Sequence, residues 1–291
     1  MAVVVKADVL GFCGGVRRAV RLIETELEQR GSLCTLGAIV HNSHVVDALA
    51  RKGAKVVESL DEIPPGGTVA ITAHGAGEGV VDEIARRGLH LVDTTCPIVR
   101  RAQTAAARLA GQGFAVVVYG EAAHPEVRGI LSWTRGQGIA TLSPDADVPP
   151  GTRAVAVISQ TTKSPEAFAQ FARTLGARLA ERALKVCTLD TTCLETERRY
   201  QAATALAREV DVLFVVGSRE SANTRRLAEV CQATGVPTYA IQVAGEIEDA
   251  SLQDRQRVGV TAGASTPDDV ICDVVRRLER QAAAREAGRS T

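Results

Sequence analysis

Aromatic side chains are scarce in this 291-residue chain, which holds one Trp, three Tyr and five Phe. Stacking platforms for bases are therefore few, and 34 Lys+Arg against 34 Asp+Glu leave no general attraction to a phosphate backbone. The balance argues against a nucleic-acid partner. No apolar run approaches the ~20 residues of a membrane-spanning helix. The opening Met1-Ala-Val-Val-Val-Lys6 lacks the basic region and long apolar stretch of a signal peptide, so no membrane partner is expected. Seven cysteines occur without a CxxC pair, a pattern unlike a disulfide framework. A cytoplasmic location is the expectation, and there thiols serve as core residues, metal ligands or catalytic groups. What is present, 45% hydrophobic and 23% charged residues, is enough to bury a sizeable core.

Short β-branched runs alternate with Ala/Leu/Arg-rich helical stretches. Strands are expected at 3–9, 33–40, 68–72, 89–92, 115–119, 154–158, 185–189, 212–216, 238–241 and 257–260. Helices are expected at 16–29, 80–87, 98–112, 165–182, 198–208, 224–234 and 267–280. Continuous apolar strands between helices predict parallel sheets covered on both faces, an α/β fold. An internal echo subdivides the chain: Val92-Asp-Thr-Thr-Cys96 recurs as Leu189-Asp-Thr-Thr-Cys193, and Phe12-Cys13-Gly-Gly again sets a cysteine between strand and helix. Three pseudo-equivalent units follow, 14–96, 97–190 and 191–282 joined by 1–13, with 283–291 as a frayed tail.

Ligands of parallel sheets bind beyond the carboxyl ends of the strands. The polar residues there include Cys13, His41, His74, Cys96, His124, Glu126, Thr161, Cys193, Ser221, Asn223 and Ser265. Cys13, Cys96 and Cys193 each precede a helix, whose positive end suits a thiolate ligand, and three thiolates can hold an iron–sulfur cluster with one iron left open. The alternatives are zinc, which usually takes closely spaced pairs, or three buried small residues. Cys231 and Cys272 read as core residues on apolar helix faces, and Cys34, in a strand, reads the same way. Cys187, near a strand end, is a weaker ligand candidate. Histidines after three strands, with the loops Gly217–Thr224 and Gly263–Pro267, suit a diphosphate, since imidazolium and free helix N–H groups bind phosphate. Helix capping is the plainer alternative for both loops. Gly75-x-Gly77-x-Gly79 lacks the rest of a dinucleotide fingerprint. Glu126 is the candidate proton donor, with Thr161 or Thr162 as a relay.

Together these segments resemble the 4-hydroxy-3-methylbut-2-enyl diphosphate reductase family, also called IspH or LytB. The resemblance rests on Gly11–Val20, Ile39–Asn42, Ala73–Gly75, Asp93–Pro97, His124–Val127, Gln160–Thr162, Asp190–Cys193, Gly217–Leu227 and Thr261–Asp268, in the family's order. It implies three α/β units in a trefoil around a central [4Fe–4S] cluster held by Cys13, Cys96 and Cys193. The implied activity removes the hydroxyl of an allylic diphosphate, giving isopentenyl and dimethylallyl diphosphates, with ferredoxin or flavodoxin as electron donor. His41, His74, His124, Ser221, Asn223, Ser265 and the backbone N–H of Ala222 would hold the diphosphate. Glu126 would supply a proton, with Thr161 beside the substrate hydroxyl and the open iron binding that hydroxyl. Two positions depart from the pattern: Tyr200 stands where Gln is usual, and Ala222 where Ser or Gly is common. These departures leave, as the alternative, a paralogue with another allylic substrate or a non-catalytic sensing role.

Overall fold

The computed structural model describes residues 3–182, 185–248, 252 and 255–289, with side chains to residue 284. Its strands are β1 (Val3–Lys6), β2 (Leu33–Leu36), β3 (Ala54–Val57), β4 (Thr68–Ile71), β5 (His90–Asp93) and β6 (Ala115–Tyr119). They continue with β7 (Gly138–Thr141), β8 (Ala154–Ser159), β9 (Lys185–Thr188), β10 (Val212–Val216), β11 (Thr238–Ile241) and β12 (Arg257–Ala262). The helices are α1 (Gly14–Arg30), α2 (Ser43–Arg51), α3 (Glu78–Arg86), α4 (Pro97–Gly111) and α5 (Pro125–Ser132). After them come α6 (Pro165–Glu181), α7 (Leu194–Ala207), α8 (Ala222–Gln232) and α9 (Asp268–Arg289).

All strand pairs are parallel and form three four-stranded sheets of one topology, β3-β2-β4-β5, β7-β6-β8-β9 and β11-β10-β12-β1. In each sheet the first strand steps outward to one edge, and the chain then reverses direction across the sheet. The third sheet takes its fourth strand from the N-terminus. Residues Met1–Arg17, Val40–Ala48 and Glu195–Thr291 make one compact unit, which contains the β1 sheet. Arg18–Ile39 and Leu49–Leu194 make the second, which contains the other two.

Alternation along the central strands builds the cores. In β10, Val212, Phe214 and Val216 face Ile271, Val274 and Leu278 of α9. Leu213 and Val215 face Ala203 and Leu206 of α7 and Leu227 and Cys231 of α8. In β6, Val116 and Val118 meet Ala102, Ala106 and Leu109 of α4 and Ile130 of α5, while Val117 meets Phe168, Phe171 and Leu175 of α6. Strands covered on both faces need uninterrupted apolar runs, and these are the ones the sequence displays most clearly.

The sequence reading misses β3, β7, α2 and α5. The two strands are four-residue edges with half-exposed patterns, so neither carries an apolar run. The two helices have 9 and 8 residues, too short for a sustained period. Helix α9 runs to Arg289, past the expected end at 280, because an Ala/Arg/Glu-rich segment keeps its helix propensity without an apolar stripe. Cys231 is buried as expected, but Cys272 is exposed on α9 and is not a core residue. No described helix is long and apolar enough to cross a membrane.

Candidate functional site

Each sheet reverses its winding between its first and third strands, and sheets so wound bind ligands at the carboxyl ends of the strands flanking the reversal, here β2/β4, β6/β8 and β10/β12. The residues that follow these strands are His41 and His74, His124 and Thr161, and Ser221–Asn223 and Ser265. The candidate cysteines follow the fourth strands β5, β9 and β1.

The cysteine junctions share one construction. The backbone N–H of Cys96 donates to the Ala73 carbonyl (3.0 Å), that of Cys193 to Thr161 (2.7 Å) and that of Cys13 to Ala264 (3.0 Å). Each acceptor lies just past the neighbouring strand. The echoed Asp-Thr-Thr segments fold alike: Asp93 Oδ1 accepts from the N–H of Thr95 at 3.0 Å, and Asp190 Oδ1 from Thr192 at 2.8 Å. The Thr94 hydroxyl donates to the Ile71 carbonyl, and the Thr191 hydroxyl to Ser159 at 2.6 Å. Each junction thus ties a cysteine-bearing edge strand to its neighbour twice.

The Cys13 junction reaches the same result by other means. Gly11 stands where Thr94 and Thr191 stand, two residues before the cysteine. Its φ is +72°, and a Cβ there would lie 2.9 Å from Ile271 Cδ1, so no threonine fits. The carbonyl that lacks this hydroxyl is Ala262, and Arg199 Nη1 donates to it at 2.8 Å. Arg199 is 1% exposed and lies six residues after Cys193, whereas the buried Ala19 and Ala102 lie six residues after Cys13 and Cys96. A buried Arg in a repeat of alanines has no other account in the sequence pattern. Arg199→Met is expected to cost roughly 3 kcal/mol, because it strands a buried carbonyl and loses a charge-assisted bond. Urea unfolding measures it, and a loss below about 1 kcal/mol would contradict this role.

Within the second unit, His74, His124, Glu126 and Thr161 come together. His124 caps α5: its Nδ1 accepts from the N–H of Glu126 at 3.2 Å, which leaves Nε2 to carry the ring hydrogen as a donor. The His74 and His124 rings meet edge to face with centroids 5.6 Å apart, and His74 Nδ1 lies 3.4 Å from the Thr72 hydroxyl. Gly75, next to His74, has φ +77°, and a Cβ there would stand 2.4 Å from Gln103 Nε2. Close packing on Gln103 thus explains this glycine without a dinucleotide.

The Glu126 carboxyl is buried, and Oε1 accepts from the N–H of Thr161 at 2.6 Å. Burial raises its pKa from 4.5 to about 6, with the Thr161 bonds and the Lys163 charge pulling weakly the other way. The Thr161 carbonyl in turn receives the Cys193 N–H, so the carboxyl sits one residue's backbone away from a cysteine junction. A carboxyl harder to ionise in the folded state stabilises the fold fully below pH ~4.5, and that contribution is lost as pH rises through ~6. The isosteric Glu126→Gln variant is therefore expected to exceed the parent's stability by about 2 kcal/mol at pH 8, with the gain vanishing by pH 4. Thermal unfolding across pH checks this, and a pH-independent difference would contradict it.

Within the first unit, the Ser265 carbonyl accepts from Asn42 Nδ2 at 2.7 Å, and Asn42 is itself buried. Asn42 also caps α2, its Oδ1 accepting from the N–H of His44 at 3.0 Å. His41, which precedes it, is exposed. Ser221 caps α8, taking the N–H of Thr224 at 3.3 Å, with Ala222 exposed in the first turn. The structure therefore places every candidate at a strand end or helix start. Asn42, Gln103 and Arg199 are supporting residues whose partners lie far along the chain, where no local motif reveals them.

A family model described as LytB protein matches residues 4–279. The chain belongs to the LytB family. Proteins similar to it and named 4-hydroxy-3-methylbut-2-enyl diphosphate reductase include that of Dehalococcoides mccartyi strain CBDB1, 42% identical over 279 residues (95% of this chain, 98% of the relative). The like-named protein of Geobacter sulfurreducens is 40% identical over 277 residues, covering 95% and 96%. A solved structure of (E)-4-hydroxy-3-methyl-but-2-enyl diphosphate reductase, titled the terminal enzyme of the non-mevalonate pathway, matches with TM-score 0.76. It is 34% identical, over 96% of this chain and all of that one (100%). The Plasmodium falciparum E-1-hydroxy-2-methyl-but-2-enyl-4-diphosphate reductase shares the fold, with TM-score 0.84 at 23% identity over 94% of this chain and 87% of that one. LytB membership thus spans all three sheets.

The seven cysteines of this LytB chain form no disulfide, and Cys13, Cys96 and Cys193 are partly exposed. The N–H of Val16 in the first turn of α1 donates to Cys13 Sγ at 3.5 Å. Three soft sulfur donors at like-built helix starts are a donor set that fits an iron–sulfur cluster.

Proposed function

We propose that this chain is a 4-hydroxy-3-methylbut-2-enyl diphosphate reductase, which removes the hydroxyl of its substrate to give isopentenyl and dimethylallyl diphosphates. Family membership and the names of relatives covering nearly the whole chain support this reading. In this reading Cys13, Cys96 and Cys193 hold one [4Fe–4S] cluster, around which units 14–96, 97–190 and 191–282 with 1–13 are arranged as a trefoil, with 283–291 as a tail. A cluster so held would pass the two electrons one at a time from the donor and would lend Lewis acidity toward the allylic alcohol. The net change consumes two electrons and two protons, breaks the C–O bond, forms a C–H bond and releases water. Ferredoxin or flavodoxin delivers the electrons in a cytoplasmic setting, and neither nucleic acid nor membrane takes part.

The remaining work falls to side chains. His41, His74, His124, Ser221, Asn223, Ser265 and the Ala222 N–H bind the diphosphate, whose charge matches imidazole N–H groups and the start of α8. His124 is suited to this because its Nδ1 is already occupied as an acceptor, which leaves Nε2 to carry the ring hydrogen. Glu126 holds the proton that leaves with the hydroxyl, and Thr161 keeps the carboxyl in place.

The observation that carries this reading is the buried Glu126 carboxyl, held by the Thr161 N–H in the loop whose carbonyl binds Cys193. In this reading the carboxyl is a proton reservoir beside a metal-ligand junction. The test is anaerobic turnover of 4-hydroxy-3-methylbut-2-enyl diphosphate by cluster-loaded protein with a reduced viologen dye. Formation of both isoprenoid diphosphates is expected. A cluster-loaded protein that leaves this diphosphate unchanged would overturn the assignment.

A further inference from the structure

Among the strand-end residues, Asn223 is placed by a side chain from another helix. Tyr200 in α7 extends over the first turn of α8, and its hydroxyl donates to Asn223 Oδ1 at 3.1 Å. An amide whose oxygen is fixed has its nitrogen fixed as well. Asn223 Nδ2 is buried and has no hydrogen-bond partner among the described residues. A buried amide carrying two N–H donors without an acceptor is costly, and the cost is recovered when an acceptor arrives. Asn223 follows Ser221 and Ala222 at the start of the helix, where further N–H groups favour an anion.

Tyr200 is itself held rigidly, since its ring packs against the cluster of Ala203, Leu213, Leu227 and Cys231. Burial pushes its phenol up to about 12, with nearby Arg226 lowering and Glu197 raising it, so the hydroxyl remains a neutral donor at any working pH. The phenol is thus preorganised to present only one orientation of the amide.

We infer that Tyr200 is a positioning residue, which locks the Asn223 amide with its N–H donors toward the diphosphate and so sets affinity for that group. The inference rests on the proposed function and adds to it a determinant outside the strand-end loops. Because the bond acts on binding alone, its loss raises KM and leaves kcat nearly unchanged.

The test compares Tyr200→Phe, which keeps the ring and removes only the hydroxyl, with the parent, Tyr200→Gln, Asn223→Ala and the double variant. The probes are KM and kcat for the allylic diphosphate, and the Kd of inorganic pyrophosphate by calorimetry on the same cluster-loaded proteins. Tyr200→Phe is expected to raise KM and the pyrophosphate Kd each by about five- to tenfold, with kcat within about twofold. Tyr200→Gln, whose amide can donate to the same oxygen, recovers most of the loss. In the Asn223→Ala background Tyr200→Phe adds nothing, since the two act through one bond. Parent-like KM and Kd in Tyr200→Phe, or additive effects in the double variant, would overturn the inference while the parent's activity still stands. A parent that neither binds pyrophosphate nor reduces the substrate would overturn both readings.

Discussion

Serine at Cys13, Cys96 or Cys193 is expected to abolish turnover and to bleach the brown absorbance of anaerobically purified protein. Serine preserves the shape of each junction, including the N–H bonds to Ala264, Ala73 and Thr161, because those use the backbone. What it removes is a soft sulfur donor, and an alkoxide is a poor substitute for thiolate on iron–sulfur clusters. The proposed set of three ligands leaves no redundancy, so each single change is expected to have nearly the full effect. The control is internal. Cys231 is buried on the inner face of α8, and burial pushes its thiol up to about 11. Cys231→Ser and Cys272→Ser are expected to retain iron, sulfide and activity. The measurement is iron and sulfide content with the visible and EPR spectra under argon. Full cluster in Cys13→Ser, or its loss in Cys231→Ser, would show that other sulfurs hold the metal.

Glu126→Gln is expected to lower kcat by about 10²- to 10⁴-fold, the usual worth of a positioned acid, with the pyrophosphate Kd within about threefold of the parent. Glutamine keeps the acceptor for the Thr161 N–H, so the loop geometry survives while the transferable proton is lost. The pH dependence gives an independent reading. A carboxyl with a pKa of about 6 is mostly protonated below that pH and mostly ionised above it. Parent kcat is therefore expected to fall as pH rises through about 6, as a proton donor is consumed, and this limb is absent from the residual rate of Glu126→Gln. The same variant gains stability at high pH, so activity and stability move in opposite directions at one residue. Turnover near the parent's in Glu126→Gln would remove this carboxyl from the proton path.

Much of the site was legible because it is built from local chemistry. Asp-Thr-Thr-Cys specifies its own turn: the aspartate oxygen takes the N–H two residues on, and the cysteine then starts a helix. Pro97 marks a helix start by supplying a residue that has no N–H to satisfy. The doubly covered strands β8 and β10 declared themselves through unbroken apolar runs. What failed lacked such local causes. The half-exposed edges β3 and β7 gain their hydrogen bonds from β2 and β6 and little from their own side chains. Cys272 follows an apolar spacing on α9, yet the face it occupies is turned to solvent.

By itself, then, the sequence determined the parallel α/β class, the cysteine-bearing strand ends and a carboxyl at 126 just past a strand, since each follows from residues adjacent in the chain. Tertiary structure decided the rest. Arg199 stands in for a hydroxyl that Gly11 cannot carry, Tyr200 fixes an amide on another helix, and Glu126 resists ionisation only because the fold takes it out of water. These are pairings between positions tens of residues apart or more, and burial and long-range hydrogen bonds exist only once the chain has folded.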